Sequence, residues 1–380
     1  MNAITKRGAI KTACISLGTL FLLSSPIAAL AQSPPPKRIF IVQSYEKGHV
    51  CGEPQAEGEL ASLANAGWVV GKNLTVATYY MDTYRTNTSP EAIRSEGEKA
   101  LAEIAAFKPD IVFANDDAAD SQVMMALVGN PDISVVVSGM NGQPEMYNER
   151  KHFMENRAHP GGNVTGVYEK LYAAQAVKVM VQAIPGLAQA KVVMITDFSP
   201  TGNGLTKQFE IELKDVTQPR WEVRRVKDWD EYTALIQVLN DDPTVKAIYP
   251  VALTLPTSEG KRYSAAHIYD WTLAHSNKPE MAINYFFARM GLFGGAGVNF
   301  GAMGKLAGEK AAKILAGTKA GDLPFEDAPA YAIVFNLKRA RDLGIEIPVS
   351  LLTAADAVYK DDLLPLEGRP LLYDPQIKSF

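Results

Sequence analysis

Apolar strand-like runs alternate with helical patterns along most of this chain, and this alternation constrains the fold more than any other feature. Runs such as RIFIVQS (38–44), PDIVFAN (109–115) and ISVVVSG (133–139) are apolar almost throughout, which is typical of strands buried on both faces. Helical patterns such as that over 90–107 separate them. The alternation predicts parallel sheets covered by helices on both faces.

The alternation of strand-like and helical patterns ends with a short strand-like run at 163–168, and a second series begins after it. A helical pattern over 171–186 precedes further strand-like runs at 190–198 and 245–251, and another strand is predicted over 280–286. Because the pattern occurs twice, we predict an α/β fold of two doubly wound parallel-sheet lobes rather than one large sheet.

Late segments are expected to return to each lobe and to form a three-strand hinge. The expected domains are a signal peptide (1–31), lobe 1 (37–163 plus 299–326), lobe 2 (164–298 plus 327–360) and a C-terminal tail (361–380). The expected crossovers between the lobes lie near 160–168, 285–299 and 322–332.

The N-terminus has the pattern of a cleavable secretory signal. Basic residues precede an apolar run, and Ala29 and Ala31 place small residues before a cut at Gln32. An uncleaved anchor is the alternative, although the apolar run is short for a membrane span. Cys14 precedes most of that run, so no lipoprotein signal is predicted. We therefore expect export to the periplasm.

Charge argues against a nucleic-acid partner, and the cysteine count argues against an intrachain disulfide in the mature chain. Cleavage removes Lys6, Arg7 and Lys11 and takes the formal net charge from −4 to −7, so no electrostatic attraction to nucleic acid is expected. Only Cys51 then remains, which leaves no intrachain disulfide. We expect a monomer that relies on its apolar core.

A glycine-rich segment near 284–317 resembles a phosphate-binding loop but has the wrong spacing. The fingerprint G-x-G-x-x-G requires a third glycine at position 300, where Phe300 stands, and the glycine comes one residue later at Gly301. The bulky ring would also crowd a pyrophosphate. We therefore predict no nucleotide or other cofactor, and we interpret the segment as a crossover between lobes.

Several longer motifs resemble a known family. They are HPGGNVTGV (159–167), IPGLAQAKVVMITDFSPTGNG (184–204) and the segment from NFGAMGKLAG to GIEIP (299–348). Over roughly 38–348 the chain is similar to the substrate-binding proteins of ABC importers, in the group associated with tryptophan and tyrosine uptake. The resemblance implies a type I periplasmic binding-protein fold and a partner permease in the inner membrane.

The turn after the third strand departs from that family. Many members carry Gly-Thr or Ala-Thr there, whereas this chain has Asn115, Asp116 and Asp117. A paired-acid turn of this kind is similar to that of related proteins that work as sensor domains. The fold is thus implied more strongly than the ligand.

Ligands of open α/β sheets bind outside the carboxyl ends of the strands, where backbone N–H groups at helix N-termini are also available. The predicted ligand-binding residues follow from that rule and are Ser44, Tyr45, Asn115, Asp116, Asp117, Ser138, Gly139, Phe198, Ser199, Thr201, Pro250, Asn284, Tyr285 and Asn299. Tyr45, Phe198 and Tyr285 would stack on an aromatic ligand or pack between the lobes.

Asp116 and Asp117 have two interpretations. One carboxylate could pair with an ammonium group on the ligand, or an aspartate could cap the helix predicted over 118–129. The first loop offers His49, Cys51 and Glu53, but their spacing matches no standard zinc pattern. No metal is therefore predicted, and the role of these three residues stays open.

The sequence favours a binding protein that delivers an amino acid or another small carboxylate, aromatic ones included, to an ABC importer. The alternative is a periplasmic sensor that signals to a membrane kinase or receptor by the same closure. An enzyme is the third class, and neither a G-x-S-x-G nor an H-E-x-x-H motif occurs in the chain.

Overall fold

The computed structural model describes residues 36–251, 254–260 and 262–361. The predicted signal peptide and the C-terminal tail beyond Asp361 lie outside these ranges. Within them, no helix combines the length and the apolar character that a membrane span requires.

Backbone pairing defines fourteen strands among the described residues. They are β1 Lys37–Gln43, β2 Leu74–Tyr80, β3 Ile111–Asn115, β4 Ser134–Met140, β5 Val164–Tyr168, β6 Lys191–Asp197, β7 Arg220–Val226, β8 Val245–Pro250, β9 Thr254–Pro256, β10 Arg262–Ser264, β11 Gly294–Val298, β12 Glu326–Asp327, β13 Tyr331–Asn336 and β14 Ala357–Tyr359.

The helices alternate with these strands. They are α1 Gly52–Asn65, α2 Pro90–Phe107, α3 Asp116–Ala119, α4 Met125–Leu127, α5 Pro144–Arg150, α6 Ala173–Ala183, α7 Pro200–Glu212, α8 Trp229–Asp241, α9 Ala265–His275, α10 Tyr285–Met290, α11 Phe300–Leu315, α12 Leu337–Asp342 and α13 Val349–Ala354. A π-helical stretch, Asp120–Met124, joins α3 to α4, so the helix predicted over 118–129 is present but irregular.

The first sheet has six parallel strands in the order β12-β5-β4-β3-β1-β2. Its central strands β1, β3 and β4 are almost entirely buried, because α1 and α11 lie among the helices that cover them. We call this sheet and its helices lobe 1. All of its strands end at the same edge, which places the loops after β1, β3, β4 and β5 side by side.

The second layer, lobe 2, is built from two three-stranded sheets. Parallel strands in the order β7-β6-β8 form one, and β11-β13-β14 form the other, with β11 antiparallel to β13. Backbone bridges near 280–284 join them: the N–H of Met281 donates to the carbonyl of Ile248, and that of Ala282 donates to Gly294. The strand predicted over 280–286 is therefore a set of bridges, and α10 begins already at Tyr285.

In the ranges that the structure describes, three connections pass between the two layers. They follow β5 into α6, β11 into α11, and β12 into β13. The predicted boundary at 163/164 assigned β5 to lobe 2, whereas β5 pairs with β4 in the six-stranded sheet of lobe 1. The reason is that the buried Val164–Tyr168 strand extends the first sheet beyond β4 before the chain leaves lobe 1.

Glycines of the 284–317 segment serve close packing. A Cβ on Gly294, at φ 121°, would lie 2.1 Å from the carbonyl oxygen of Val334. In α11, a Cβ on Gly308 would lie 2.4 Å from the carbonyl oxygen of Glu59 in α1. The glycines therefore let β11 approach β13 and let α11 lie directly against α1.

Candidate functional site

Asp116 lies where β3 ends and α3 begins, with a left-handed backbone at φ 67°. It is 1% exposed, and its Oδ2 accepts a hydrogen bond from Gln55 Nε2 at 3.1 Å. No side-chain cap is formed at the start of α3. Instead Ser44 Oγ accepts the N–H of Ala119 at 2.9 Å. The capping role considered for an aspartate thus belongs to Ser44.

Asp117 ties the loop after β3 to the loop after β4. Its Oδ1 accepts the backbone N–H of Asn141 at 3.1 Å and the hydroxyl of Tyr147 at 3.0 Å. Burial raises the pKa of Asp117, and these hydrogen bonds oppose the rise. The two aspartates therefore have different partners and occupy different places at the same sheet edge.

A third carboxyl group, which the sequence analysis missed, completes this edge. Glu169 follows β5, is 5% exposed, and its Oε2 lies 3.4 Å from Asn141 Nδ2. Burial raises the pKa of Glu169 well above its ordinary value, and the charges of Asp116 and Asp117 raise it further. The three carboxyl groups therefore lie close enough to disfavour simultaneous ionisation.

None of these three groups has a lysine or arginine partner in the described part of the chain. Burial raises the pKa of Asp116, the charge of Asp117 adds to this, and only the Gln55 amide opposes it among the main causes. No described lysine or arginine forms an ion pair with Asp116, Asp117 or Glu169. We call Asp116, Asp117 and Glu169 the acidic rim.

Aromatic side chains lie beside the acidic rim. The ring of Tyr45 lies 4.1 Å from that of His49 and meets Tyr84 edge-on at 6.3 Å. Burial raises the pKa of the Tyr45 phenol, and the nearby charge of Asp116 raises it further. Tyr45 therefore lies near Asp116 at this edge, and its contact with a ligand stays a prediction.

The His49, Cys51 and Glu53 motif does not assemble a metal site. Burial lowers the pKa of His49 to about 3, so the ring is neutral, and its Nδ1 accepts the backbone N–H of Cys51 at 3.2 Å. Glu53 accepts the N–H of Gly48 at 2.7 Å. Among the residues that the structure describes, no group of three or more metal-capable side chains occurs.

Side-chain hydrogen bonds of Tyr84 and Gln208 connect the edge of lobe 1 to lobe 2. Tyr84 OH accepts the backbone N–H of Ala265, the first residue of α9, at 3.1 Å. Gln208 of α7 donates its amide to the carbonyl oxygens of Asn141 at 2.7 Å and Glu169 at 3.2 Å. The loops that carry the acidic rim are therefore in direct contact with lobe 2.

Three of the predicted residues begin helices in lobe 2 or at its crossover. Ser199 Oγ accepts the N–H of Gly202 in α7, Asn284 Oδ1 that of Phe287 in α10, and Asn299 Oδ1 that of Ala302 in α11. Each of these residues satisfies one of the free N–H groups of its own helix. That use reduces the number of donors available to a ligand carboxylate.

The remaining predicted residues have varied positions. Ser138 Oγ donates to Gln55 Oε1 at 2.6 Å, and a Cβ on Gly139 would lie 2.8 Å from Asp116 Oδ1. Asn115 is fully buried and Tyr285 is 7% exposed at the start of α10. The Pro250 carbonyl accepts the Tyr269 hydroxyl at 3.1 Å, and Thr201 is half-buried in the first turn of α7.

Phe198 differs from the other predicted residues. Its side chain is 52% exposed, and the Arg225 guanidinium lies over the ring at 3.9 Å from its centroid. One face of the ring is thus already covered by a cation–π contact, so Phe198 offers at most its other face for stacking.

Comparison with known proteins places this geometry in a fold family. A model of the ABC transporter substrate-binding protein family matches residues 272–359. A conserved domain protein from Vibrio cholerae shares 17% identity and a TM-score of 0.64, over 85% of this chain and 99% of that one. The fold is that of a type I periplasmic binding protein. The predicted architecture of two α/β lobes is therefore confirmed.

Two further solved structures have the same fold. An ABC domain from Streptococcus pneumonia in complex with L-Trp shares 18% identity and a TM-score of 0.64, over 85% of this chain and 99% of that one. A ligand-free, open substrate-binding protein with adhesive properties from Clostridium difficile shares 18% identity and a TM-score of 0.63, over 86% and 100%. No curated protein matches the sequence significantly.

Proposed function

We propose that this protein is an exported solute-binding protein that closes its two lobes on a small ligand and delivers it to an ABC permease in the inner membrane. The observation that carries the proposal is the acidic rim, where the strands of lobe 1 end. Asp116 and Glu169 are buried there, Asp117 is half-buried, and the backbone carbonyl of Glu169 contacts Gln208 of lobe 2. A ligand that binds the closed arrangement better shifts the hinge equilibrium toward it.

The comparisons support this role, and the binding proteins among them suggest the ligand's size. The matching family model covers the crossover and the closing segment, and one protein with this fold was solved with L-Trp. We therefore propose a ligand of amino-acid size. The predicted class was an amino acid or another small carboxylate, and the acidic rim favours members of it that carry an ammonium group.

Binding without turnover is the activity we propose, with the mature chain acting as a monomer in the periplasm. The paired-acid turn from Asn115 to Asp117 is similar to that of related sensor domains. The alternative function is therefore a sensor whose closure signals to a membrane kinase or receptor. A permease and ATPase gene beside this one would favour import, whereas a histidine kinase gene would favour sensing.

A thermal-shift screen of the mature protein tests the proposal. Amino acids, amines, aromatic acids and neutral sugars would each be added in large excess. A ligand that binds only the folded state stabilises it, by about 2.7 kcal/mol at a concentration 100 times its Kd. This stabilisation raises the melting temperature. No shift with any compound class would contradict a solute-binding function.

A further inference from the structure

The polar groups around the acidic rim that have no protein partner are mainly acceptors. Asp120 is fully buried and neither of its carboxyl oxygens has a hydrogen-bond partner. Gln208 is 1% exposed, and its Oε1 is also unpartnered while its amide nitrogen makes both contacts to lobe 1. Buried acceptors of this kind are costly unless a donor reaches them.

Asp120 lies beside the rim rather than apart from it. The charges of Asp117 and Asp116 add to burial in raising the pKa of Asp120. The hydroxyl of Tyr147 donates to Asp117, and the charge of Asp120 is among the causes that raise the pKa of this phenol. The unpartnered carboxyl of Asp120 therefore lies near the same group of acids.

Several backbone N–H groups that could bind a ligand carboxylate are already used by protein side chains. The helices α7, α10 and α11 each use their own N-cap side chain, and the first N–H of α9 is bound by Tyr84. No described lysine or arginine pairs with the acidic rim. A free carboxylate on the ligand would therefore add a further acidic group to this cluster without a paired lysine or arginine to offset it.

We propose that the cleft selects a small organic cation, with a protonated amine or amidinium and no compensating carboxylate, over the corresponding zwitterionic amino acid. An inorganic ion is not favoured, since the described residues form no metal-holding group. Tyr45 and Tyr84 supply aromatic faces that suit a cationic ligand. This inference rests on the proposed solute-binding function, and it replaces the carboxylate ligand expected from the sequence with a cation that has no carboxylate.

Calorimetric titration with matched compounds tests the charge selection. Each set contains an amine, its amino acid and the deaminated acid: tryptamine, tryptophan and indole-3-propionate; tyramine, tyrosine and 3-(4-hydroxyphenyl)propionate. Agmatine with arginine, and cadaverine with lysine, extend the pairs to longer cations. We expect at least one amine to bind tenfold or more tightly than its amino acid, and the deaminated acids not to bind.

Two variants give the matched control. Glu169→Gln removes one rim charge and should weaken binding of the best amine at least tenfold while reducing its preference over the amino acid. Glu210→Gln changes an exposed glutamate on α7 that pairs with Lys207 and should bind as the wild type does. Equal losses in both variants would contradict the assignment of Glu169.

The outcomes separate the two proposals. Tighter binding of an amino acid, a deaminated acid or a neutral sugar than of every amine overturns the charge selection and leaves solute binding intact. Binding of no compound in the matched sets or in the wider screen overturns both.

Discussion

The hydroxyl of Tyr84, on lobe 1, accepts the backbone N–H of Ala265, at the start of α9 in lobe 2, at 3.1 Å. Tyr84 also meets Tyr45 edge-on beside the acidic rim. The Tyr84 side chain thus contacts both Tyr45, beside the acidic rim, and the opposite lobe. We infer that Tyr84 links ligand contact to lobe closure.

Replacing Tyr84 with Phe should favour opening. The variant loses one hydrogen bond between the lobes, worth about 0.5–1.5 kcal/mol, and we expect ligand dissociation to accelerate several-fold, up to about tenfold. Stopped-flow release of the best amine measures this rate. Tyr79→Phe is the control, because it removes a comparable bond to Glu96 within lobe 1. Identical rates in the two variants would refute a closing role.

Glu59 should make stability depend on pH. Burial raises its pKa to about 8, against a small opposing effect of Asn115, so the folded state binds a proton that the unfolded state releases above about pH 4.3. The contribution of Glu59 to stability therefore falls by roughly 1.4 kcal/mol per pH unit between about 4.3 and 8. Glu59→Gln should flatten that part of the stability curve.

Denaturant unfolding between pH 4 and 9 measures the Glu59 effect. Glu96→Gln is the matched control, because burial there is outweighed by Lys99 and Tyr79 and the pKa of Glu96 is lowered. The contribution of Glu96 is present above its unfolded pKa and is lost as pH falls, so its variant should be less stable near neutral pH. A Glu59→Gln curve parallel to that of the wild type would contradict the account.

Two helical glycines should respond oppositely to alanine. Gly308→Ala places a Cβ 2.4 Å from a backbone oxygen of α1, so α11 must shift, at a cost of about 1–3 kcal/mol. Gly204→Ala meets its nearest atom at 3.8 Å and should stabilise α7 by about 0.5–1 kcal/mol. Melting curves compare them, and a stabilised Gly308→Ala would show that the helices are not in tight contact.

The fold was largely predictable because its strands are short apolar runs separated by long helical patterns. The failures come from tertiary context. Nothing local distinguishes Val164–Tyr168 as a parallel strand of lobe 1 rather than the first strand of lobe 2. The segment after Glu280 has strand-like residues, but Asn284 caps a helix and ends the extended backbone at Tyr285.

The site was predictable only where the strand-end rule applied to a correctly assigned strand. Asp116 and Asp117 follow β3 and were found by that rule. Glu169 follows β5 in the same way and was missed because β5 had been assigned to the other lobe. Gln208 and Asp120 lie inside helical segments, where no sequence spacing indicates that they reach the acidic rim.

Calorimetric titration of Asp116→Asn and Asp117→Asn with the tightest amine tests the central claim most directly. Asn keeps the size of each side chain and tolerates the left-handed backbone of Asp116, and Asp110→Asn, which alters a carboxylate bound to Lys37, is the control. If the acidic rim recognises the ligand, at least one cleft variant binds about tenfold to a hundredfold more weakly, since charged hydrogen bonds contribute roughly 1.5–3 kcal/mol. Wild-type affinity in both cleft variants would contradict the account.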